Sequence, residues 1–472
     1  MCAFRWPAAA LLLLAAWSLP LGANQADTEG RQALDRKFQS AQAHFDSGQY
    51  PAAQQELEAL ARTLPDSFEV QELLGLVYSA EGQEEKATAP FEKAVRLRPQ
   101  SGPARNNLAT NLVRRGKMSL AEKEFKKVVE LEPQSFDANR NLGSFYLRTG
   151  RIGAAIPYLE KAQSRNPDAY DNGYDLALAY QETGRLREAR RQIQELLKEK
   201  DTAELHNLLA EVEEKAGNYV TAVNQYELAV HMDPSESNLF DWGGELLLHQ
   251  TTDPAIEVFA QGLKRYPNSP RFAVGLGLAL YLHGSYDEAV KALLVGADLD
   301  PSDPRAYYFL SKAYDRAPGQ ADEVVERFRR FADLRPGDAQ AAFYYALSLW
   351  KGRRPDTSQV YLDQVESLLK KAIALNPSFP EAHLQLANLY SQRRQFAEAV
   401  PEYQQALRLS PNLPDAHFRL GQAYVHLGKK DLADKEFQLH KQLYEQHLAE
   451  VDKQRSEIKQ FVYSMKGGPG GP

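Results

Sequence analysis

The sequence predicts an all-α fold in which about twelve helical hairpins stack into a solenoid. The first observation is a regular spacing of proline: most gaps are 34 residues or within one of it, and the prolines stand at 65, 99, 133, 167, 234, 267, 301, 336, 377 and 411. A fixed period of this length is typical of stacked repeats. The second observation is that apolar residues between successive prolines recur at intervals of three and four in two runs, each long enough for about three to four helical turns.

Glycine marks the turn between the two helices of most repeats. It stands there at Gly48, Gly82, Gly116, Gly150, Gly184, Gly217, Gly284 and Gly428. Glycine adopts the left-handed conformation that ends a helix, and proline then marks the end of the second helix. Each repeat is therefore predicted to be a helical hairpin.

The residues at fixed positions resemble the tetratricopeptide repeat (TPR) family. The second unit carries the family pattern at Leu74, Gly75, Tyr78, Gly82, Ala87, Phe91, Ala94 and Pro99, and the last unit carries it at Leu420, Gly421, Tyr424, Gly428, Ala433 and Phe437. One position of the first helix is Gly, Ala or Ser in every unit, and small side chains let two helices approach closely. The resemblance covers about nine tenths of the chain and implies a right-handed α-solenoid (superhelix) of TPR hairpins that binds other proteins.

The period also divides the chain into units. The predicted repeats are 34–67, 68–101, 102–135, 136–169, 170–202, 203–235, 236–269, 270–303, 304–338, 339–379, 380–413 and 414–447. The fifth lacks its proline, the ninth has Pro318-Gly319 at the turn, and the tenth carries an insertion around Gly352 to Gln359. Residues 448–465 are predicted to form a C-terminal capping helix, with a dimerisation helix as the alternative, and residues 466–472 a flexible tail.

The first 26 residues are predicted to be an export signal. Arg5 precedes the apolar residues 8–16, and small residues follow at Gly22 and Ala23. We therefore expect an exported protein, periplasmic or secreted in a bacterial envelope, with no membrane span after cleavage. The alternative is anchoring by an uncleaved N-terminal helix. The only cysteine is Cys2, so the mature chain would contain no disulfide and no thiol chemistry.

Composition and motifs argue against catalysis, cofactors and nucleic acid. The formal net charge is −7, which offers no global positive field for a phosphate backbone. His383 and His417 occupy the same place in successive units, but no third ligand stands at metal-binding spacing. No nucleophile elbow, phosphate loop or dinucleotide fingerprint occurs. We therefore predict no catalytic, cofactor-binding or metal-binding residues.

The resemblance implies that the first helices of the units line a concave groove that binds the partner. In units three and four the groove positions are polar and cationic, with Asn107, Asn141, Arg140 and Arg148. In units seven to ten the groove positions are largely apolar and aromatic, with Phe240, Leu278, Tyr281, Tyr308, Phe309, Phe343, Tyr344 and Trp350. The cationic residues Lys312 and Arg316 lie among them. Aromatic side chains at such positions have two interpretations: they form an open binding surface, or they are buried between neighbouring helices. Our hypothesis is that this stretch holds a peptide or helix with apolar anchors and some negative charge.

The predicted function is therefore a non-catalytic adaptor of the cell envelope that binds a peptide or helix of a partner protein. The alternative is a carbohydrate-binding TPR module of a polysaccharide export system, because aromatic rings beside polar groups also stack on sugars. The sequence gives no prediction of the oligomeric state.

Overall fold

The computed structural model describes residues 25–317, 319–352 and 359–446, and within these ranges it contains helices and turns but no strand. The prediction of an all-α solenoid of helical hairpins is confirmed. Most of the predicted export signal, Pro318, most of the insertion after Gly352, the predicted capping helix and the predicted tail lie outside the described residues.

The chain forms two compact units, which divide between Gln192 and Ile193. The first unit contains α1 (Gln25–Asp46), α2 (Tyr50–Thr63), α3 (Phe68–Ala80), α4 (Glu84–Leu97), α5 (Gly102–Arg114), α6 (Met118–Leu131), α7 (Phe136–Arg148), α8 (Ile152–Arg165) and α9 (Tyr170–Glu182). Helix α10 (Leu186–Glu199) runs through the division.

The second unit continues the same alternation of helices. It contains α11 (Ala203–Lys215), α12 (Tyr219–Met232), α13 (Glu236–Leu248), α14 (Thr252–Arg265), α15 (Pro270–His283), α16 (Tyr286–Leu299), α17 (Pro304–Arg316), α18 (Ala321–Leu334), α19 (Ala339–Lys351), α20 (Gln359–Leu375), α21 (Pro380–Gln392), α22 (Phe396–Leu409) and α23 (Pro414–His426). Residues 430–446 are also helical, and we label them α24.

Within each unit the helices form two layers. Neighbours in the chain pack on each other, as in α3 with α4 and α15 with α16, and each odd-numbered helix also contacts the next odd-numbered one along most of each unit. Contacts between successive even-numbered helices are sparser in the described chain, where α16 with α18 is the main example. The odd-numbered helices are thus the more closely spaced layer, which makes their free surface the concave side of each unit. We call this surface the inner face.

Short turns and caps define the helix ends. Gly82 has a φ of 73°, and the N–H of Gln83, the next residue, donates to the Tyr78 carbonyl at 2.8 Å. This bond across a left-handed residue satisfies a carbonyl at the end of α3 and directs the chain into α4. At the start of α5 the Ser101 hydroxyl accepts a hydrogen bond from the Ala104 N–H at 3.3 Å. The sequence therefore specifies both ends of a typical hairpin.

A small residue in the first helix makes room for a bulky residue of the second. A Cβ atom added at Gly75 would lie 2.6 Å from the ring of Phe91, and one added at Gly143 would lie 2.7 Å from the Leu159 side chain. Both bulky partners are buried. Close packing of this kind fixes the angle of each hairpin and so the direction in which the inner face points.

Candidate functional site

The inner face of the first unit carries the polar residues that the sequence predicts there. Asn107 donates from Nδ2 to Oε1 of Glu72 on the preceding odd helix, at 2.6 Å. Arg140 forms an ion pair with Asp171 on the next odd helix, with 3.5 Å between Nη2 and Oδ2. Asn141 is partly buried and Arg148 is exposed. The structure therefore joins Asn107 and Arg140 to carboxylates of neighbouring repeats.

Two carboxyl groups on this face have perturbed acidities. Burial raises the pKa of Glu72 to about 7 and outweighs the hydrogen bond from Asn107. Burial also raises the pKa of Asp175 to about 6, against the attraction of Arg140. These two carboxyls lie beside the polar and cationic positions that the sequence predicts for units three and four. Asp175 can be recognised in the sequence, because it takes the place in its repeat that Asn107 and Asn141 take in units three and four, whereas the burial of Glu72 depends on the neighbouring helix.

Some of the aromatic residues predicted for the groove are part of the core of the second unit. Phe343 and Tyr344 are only 6% and 7% exposed. The Phe343 ring lies 4.8 Å from that of Phe379, and the Tyr344 ring lies 5.9 Å from that of Phe328. Their assignment as partner-binding residues is therefore corrected: closely packed neighbouring helices enclose both rings, which are not available to a partner in this structure.

Other predicted residues form the walls of the inner face. Phe240, Leu278, Tyr281, Phe309 and Trp350 are partly buried. The Phe240 ring packs edge-to-face on Phe259 with centroids 5.7 Å apart, and Trp350 donates from Nε1 to Oε1 of Gln392 at 3.1 Å. These side chains give the surface its shape, and each exposes only part of its area.

A smaller set of apolar residues is exposed on the odd-numbered helices of the second unit. Tyr308 is 45% exposed, Leu282 is 47% exposed and Leu248 is 68% exposed. They belong to α17, α15 and α13, which contact one another in succession. Exposed apolar side chains on adjacent helices are typical of a surface that binds another molecule.

Cationic side chains lie beside Tyr308. Lys312 places Nζ 5.7 Å from the centre of the Tyr308 ring, and Arg316 follows one turn later, so the three share one face of α17. Lys351 of α19 forms an ion pair with Asp315. Burial and the nearby charge of Lys312 lower the pKa of Lys351 to about 8. Three cations therefore lie in this region beside a single carboxylate, that of Asp315. This excess of positive charge favours a ligand that carries negative charge.

Each of the repeated histidines contacts the second helix of its own hairpin and the loop that precedes that hairpin. His383 Nδ1 lies 2.6 Å from Glu402 Oε2, and His417 Nδ1 lies 2.6 Å from Glu436 Oε2. Each ring also approaches a proline carbonyl with Nε2, at 3.3 Å for Pro377 and 3.1 Å for Pro411. Across residues 25–317, 319–352 and 359–446, no group of three or more His, Cys, Asp or Glu side chains could hold a metal ion.

Helix length and polarity also bear on membranes. Among the helices that the structure describes, none combines the length and the apolar character needed to cross a bilayer.

Comparison with family models identifies the repeats. Models described as tetratricopeptide repeat match residues 38–102, 106–170, 146–212, 252–304, 368–400 and 414–446. A model described as TPR repeat matches residues 387–428. Together these segments cover more than half of the chain and include parts of both compact units.

Individual relatives are distant. The TPR repeat-containing protein YpiA of Bacillus subtilis (strain 168) is 22% identical over 202 residues, which are 43% of this chain and 46% of YpiA, so the match spans about half of that relative's length. Yeast Tom70 is 15% identical with a TM-score of 0.36, over 93% of this chain and 98% of that chain. YrrB, described as a TPR protein with an unusual peptide-binding site, is 17% identical with a TM-score of 0.36, over 39% of this chain and 94% of that chain.

Proposed function

Since the chain belongs to the tetratricopeptide repeat family, we propose that it is a non-catalytic protein-interaction scaffold whose inner face holds a peptide or helix of a partner protein. The observation that carries this proposal is the exposed apolar set Tyr308, Leu282 and Leu248, on three successive odd-numbered helices. Apolar anchors supply much of the binding energy of protein interfaces.

The cations beside Tyr308 indicate which charge the partner segment carries. Lys312 and Arg316 are exposed and follow Tyr308 at intervals of four residues. A partner segment that placed an apolar side chain on Tyr308 would bring its next turn, or its next few extended residues, beside these charges. We therefore propose an amphipathic segment with apolar anchors and Asp or Glu among them.

Selection from a random peptide display library tests this function directly. We expect the full chain to enrich peptides that combine apolar anchors with acidic residues. The variant Tyr308→Ser with Leu282→Ser should bind the enriched peptides at least about ten-fold more weakly, because it removes two exposed anchors without disturbing buried residues. Tyr344→Ser would be unsuitable, because its ring is buried and the change would weaken the fold.

A matched control removes exposed apolar residues elsewhere. Leu228 and Leu334 are exposed at 43% and 55% on the even-numbered helices α12 and α18. The variant Leu228→Ser with Leu334→Ser should therefore keep full affinity. Equal binding by both double variants, or no enrichment of any peptide, would contradict the proposal. Glycan-array binding that depends on Tyr308, in place of peptide binding, would favour the carbohydrate-binding alternative.

We also propose that the protein acts in the bacterial cell envelope, on the basis of the export-signal pattern in residues 1–26. The measurement is fractionation of cells that express the full chain, with the mature N-terminus determined by mass spectrometry. A periplasmic or secreted product that starts after the Leu21–Ala23 region supports the proposal. A product that retains residue 1 and sediments with membranes supports the anchored alternative, and a cytoplasmic product contradicts both.

A further inference from the structure

The hairpin turns of three successive repeats lie side by side along one edge of the first unit. They join α5 to α6, α7 to α8 and α9 to α10. Arg151 Nη1 lies 2.8 Å from Glu122 Oε2 of α6, and Arg185 Nη1 lies 3.2 Å from Glu160 Oε1 of α8, so each turn contacts the second helix of the preceding hairpin. We call this surface the turn edge, and it consists of residues 114–123, 148–151 and 182–191.

The turn edge is strongly cationic, although the whole chain has a formal charge of −7. Its cations are Arg114, Arg115, Lys117, Lys123, Arg148, Arg151, Arg185, Arg187, Arg190 and Arg191. The same segments contain the acidic residues Glu122, Glu182 and Glu188. Glu84 and Glu160 pair with the edge from neighbouring helices, so ten cations lie beside these five carboxylates. This excess of positive charge favours a partner with an extended negative surface.

The charged groups of the turn edge are accessible to a partner. Arg114 and Arg151 each pair with a carboxylate, yet 45% and 43% of their side chains remain exposed. Lys117, Arg148 and Arg187 are also exposed. Because turns are the tips of the hairpins, these side chains protrude from the unit, which suits contact with a broad surface.

Two exposed apolar side chains lie among the cations. Met118 is 42% exposed and Leu120 is 55% exposed, in the first turn of α6. Lys117 precedes them and Lys123 follows them in the chain. A nucleic acid backbone offers phosphates to such a surface, whereas the interface of a membrane offers phosphates together with an apolar layer beneath them. The combination of cations and apolar tips therefore favours a lipid surface.

We propose that the turn edge docks on the surface of a membrane that contains anionic lipids. The Lys and Arg side chains contact the lipid phosphates, and Met118 and Leu120 enter the boundary between headgroups and acyl chains. The turn edge is a different surface from the inner face and lies in a different compact unit from Tyr308. Membrane docking therefore does not depend on the peptide binding proposed above.

The test is sedimentation of the full chain with vesicles of phosphatidylcholine alone or of phosphatidylcholine with about 40% phosphatidylglycerol. We expect at least about ten-fold stronger binding to the anionic vesicles at about 0.1 M NaCl, and loss of most of this preference at about 0.5 M NaCl. The apolar residues 8–16 of the predicted export signal would bind both kinds of vesicle alike. The ratio of the two affinities is therefore the quantity to compare.

Two double variants test the two parts of the proposed contact. Lys117→Glu with Arg187→Glu should bring the ratio close to one, because it reverses two exposed charges of the turn edge. Met118→Ser with Leu120→Ser should weaken binding to the anionic vesicles by about five-fold or more, while most of the salt dependence remains.

A matched control makes the same change of charge at the opposite ends of the hairpins. Arg62 and Arg96 are exposed in the last turns of α2 and α4, and Arg62→Glu with Arg96→Glu should leave the ratio unchanged. Circular dichroism checks the folding of each variant. Equal binding of the wild type to both vesicles, or an equal loss of preference in the two charge-reversal variants, overturns the proposal. Saturable binding of a labelled DNA duplex without any vesicle preference would assign the turn edge to nucleic acid instead.

Discussion

At the scale of single residues, the turns between helices show where the sequence departs from its own pattern. Gln250 and Arg394 adopt left-handed backbone conformations with φ of 55° and 60°, at turns where most hairpins have glycine. A side chain costs about 1–2 kcal/mol in this conformation. The period of the sequence predicts where the turns lie. The structure shows that the turn keeps its left-handed backbone conformation even where the residue is not glycine.

Arg394→Gly should therefore stabilise the protein. Arg394 is exposed, and its hydrogen bond to Ser391 uses only the backbone N–H, at 3.0 Å. Glycine removes the steric cost but also makes the unfolded chain more flexible, so we expect a net gain of about 0.5–1 kcal/mol. The measurement is the urea concentration at which the α21–α24 region unfolds, followed by hydrogen exchange. The control Gly428→Ala, at a φ of 72°, should be destabilising, and a loss of stability in Arg394→Gly would contradict a steric cost at this turn.

Glu72 gives a pH-dependent prediction. Its pKa is raised from 4.5 when unfolded to about 7 when folded, so the folded state holds the proton more tightly. The stability contributed by protonation is complete below about pH 4.5 and is lost as the pH rises through 7. The free energy of unfolding of Glu72→Gln, relative to that of the wild type, should be higher at pH 8.5 than at pH 4.5 by about 1–3 kcal/mol. This magnitude follows because one pKa unit corresponds to about 1.4 kcal/mol. Urea unfolding of both proteins at both pH values measures this difference, and a constant difference would show that Glu72 is not perturbed.

Burial of individual residues could not be predicted from repeat position alone. Tyr308 and Phe343 occupy equivalent places in successive repeats, yet Tyr308 is 45% exposed and Phe343 is 6% exposed. Phe343 packs against Phe379, which precedes α21, whereas the close ring contact of Tyr308 is its own neighbour Phe309 at 5.0 Å. The position of a residue in the repeat predicts which helix carries its side chain. The exposed fraction of that side chain depends on the residues of the neighbouring repeat that pack against it.

At the scale of the helical hairpin, the sequence predicted most of what the structure contains. The spacing of apolar residues, the glycine turns and the serine caps are local signals, and each acts within a few residues along the chain. The small residue opposite a bulky one, as in Gly75 and Phe91, is also recognisable because it recurs at the same place in every repeat. The hydrogen bond between Asn107 and Glu72 cannot be recognised in this way, since it joins side chains of two different hairpins.

Gly75→Ala tests the packing of a hairpin. The added methyl group would lie 2.6 Å from the Phe91 ring, so α3 and α4 must move apart, at a cost of about 1–3 kcal/mol. Gly244→Ala is the matched control, because Gly244 lies inside α13 with no atom within 4 Å of the added methyl, and there alanine should stabilise the helix by about 0.5–1 kcal/mol. Thermal unfolding monitored by circular dichroism distinguishes the two. Equal effects of the two substitutions would argue against tight packing at Gly75.

At the scale of the whole molecule, net charge conceals local differences. The chain carries a formal charge of −7, yet Lys312, Arg316 and Lys351 concentrate positive charge on the inner face of the second unit. In the first unit the inner face includes the partly buried carboxyls of Glu72 and Asp175, whose pKa values are raised. The composition correctly argues against a global positive field, but it carries no information about which face of a repeat array bears which charge.

Binding of acidic peptides to the second unit should therefore depend on salt and on a single lysine. We expect affinity to fall several-fold between about 0.05 and 0.5 M NaCl, because exposed charges are screened over a shorter distance at high salt. Lys312→Glu should weaken binding by about ten-fold or more and reduce the salt dependence. Lys291→Glu makes the same change of charge at an exposed position on α16 and should have little effect. Fluorescence anisotropy with the selected peptides provides the measurement, and identical behaviour of the two variants would contradict a local electrostatic contribution.

The contact pattern of the helices has a consequence for how such a chain can change over evolutionary time. The packing contacts within each unit join a helix mainly to the next helix and the one after it. A duplicated or deleted stretch of one period would therefore leave most existing contacts in place and require new complementarity only at its two junctions. Ancestral and modern versions of such a protein can differ in length by whole hairpins, each addition supplying another segment of surface on which new specificity can arise.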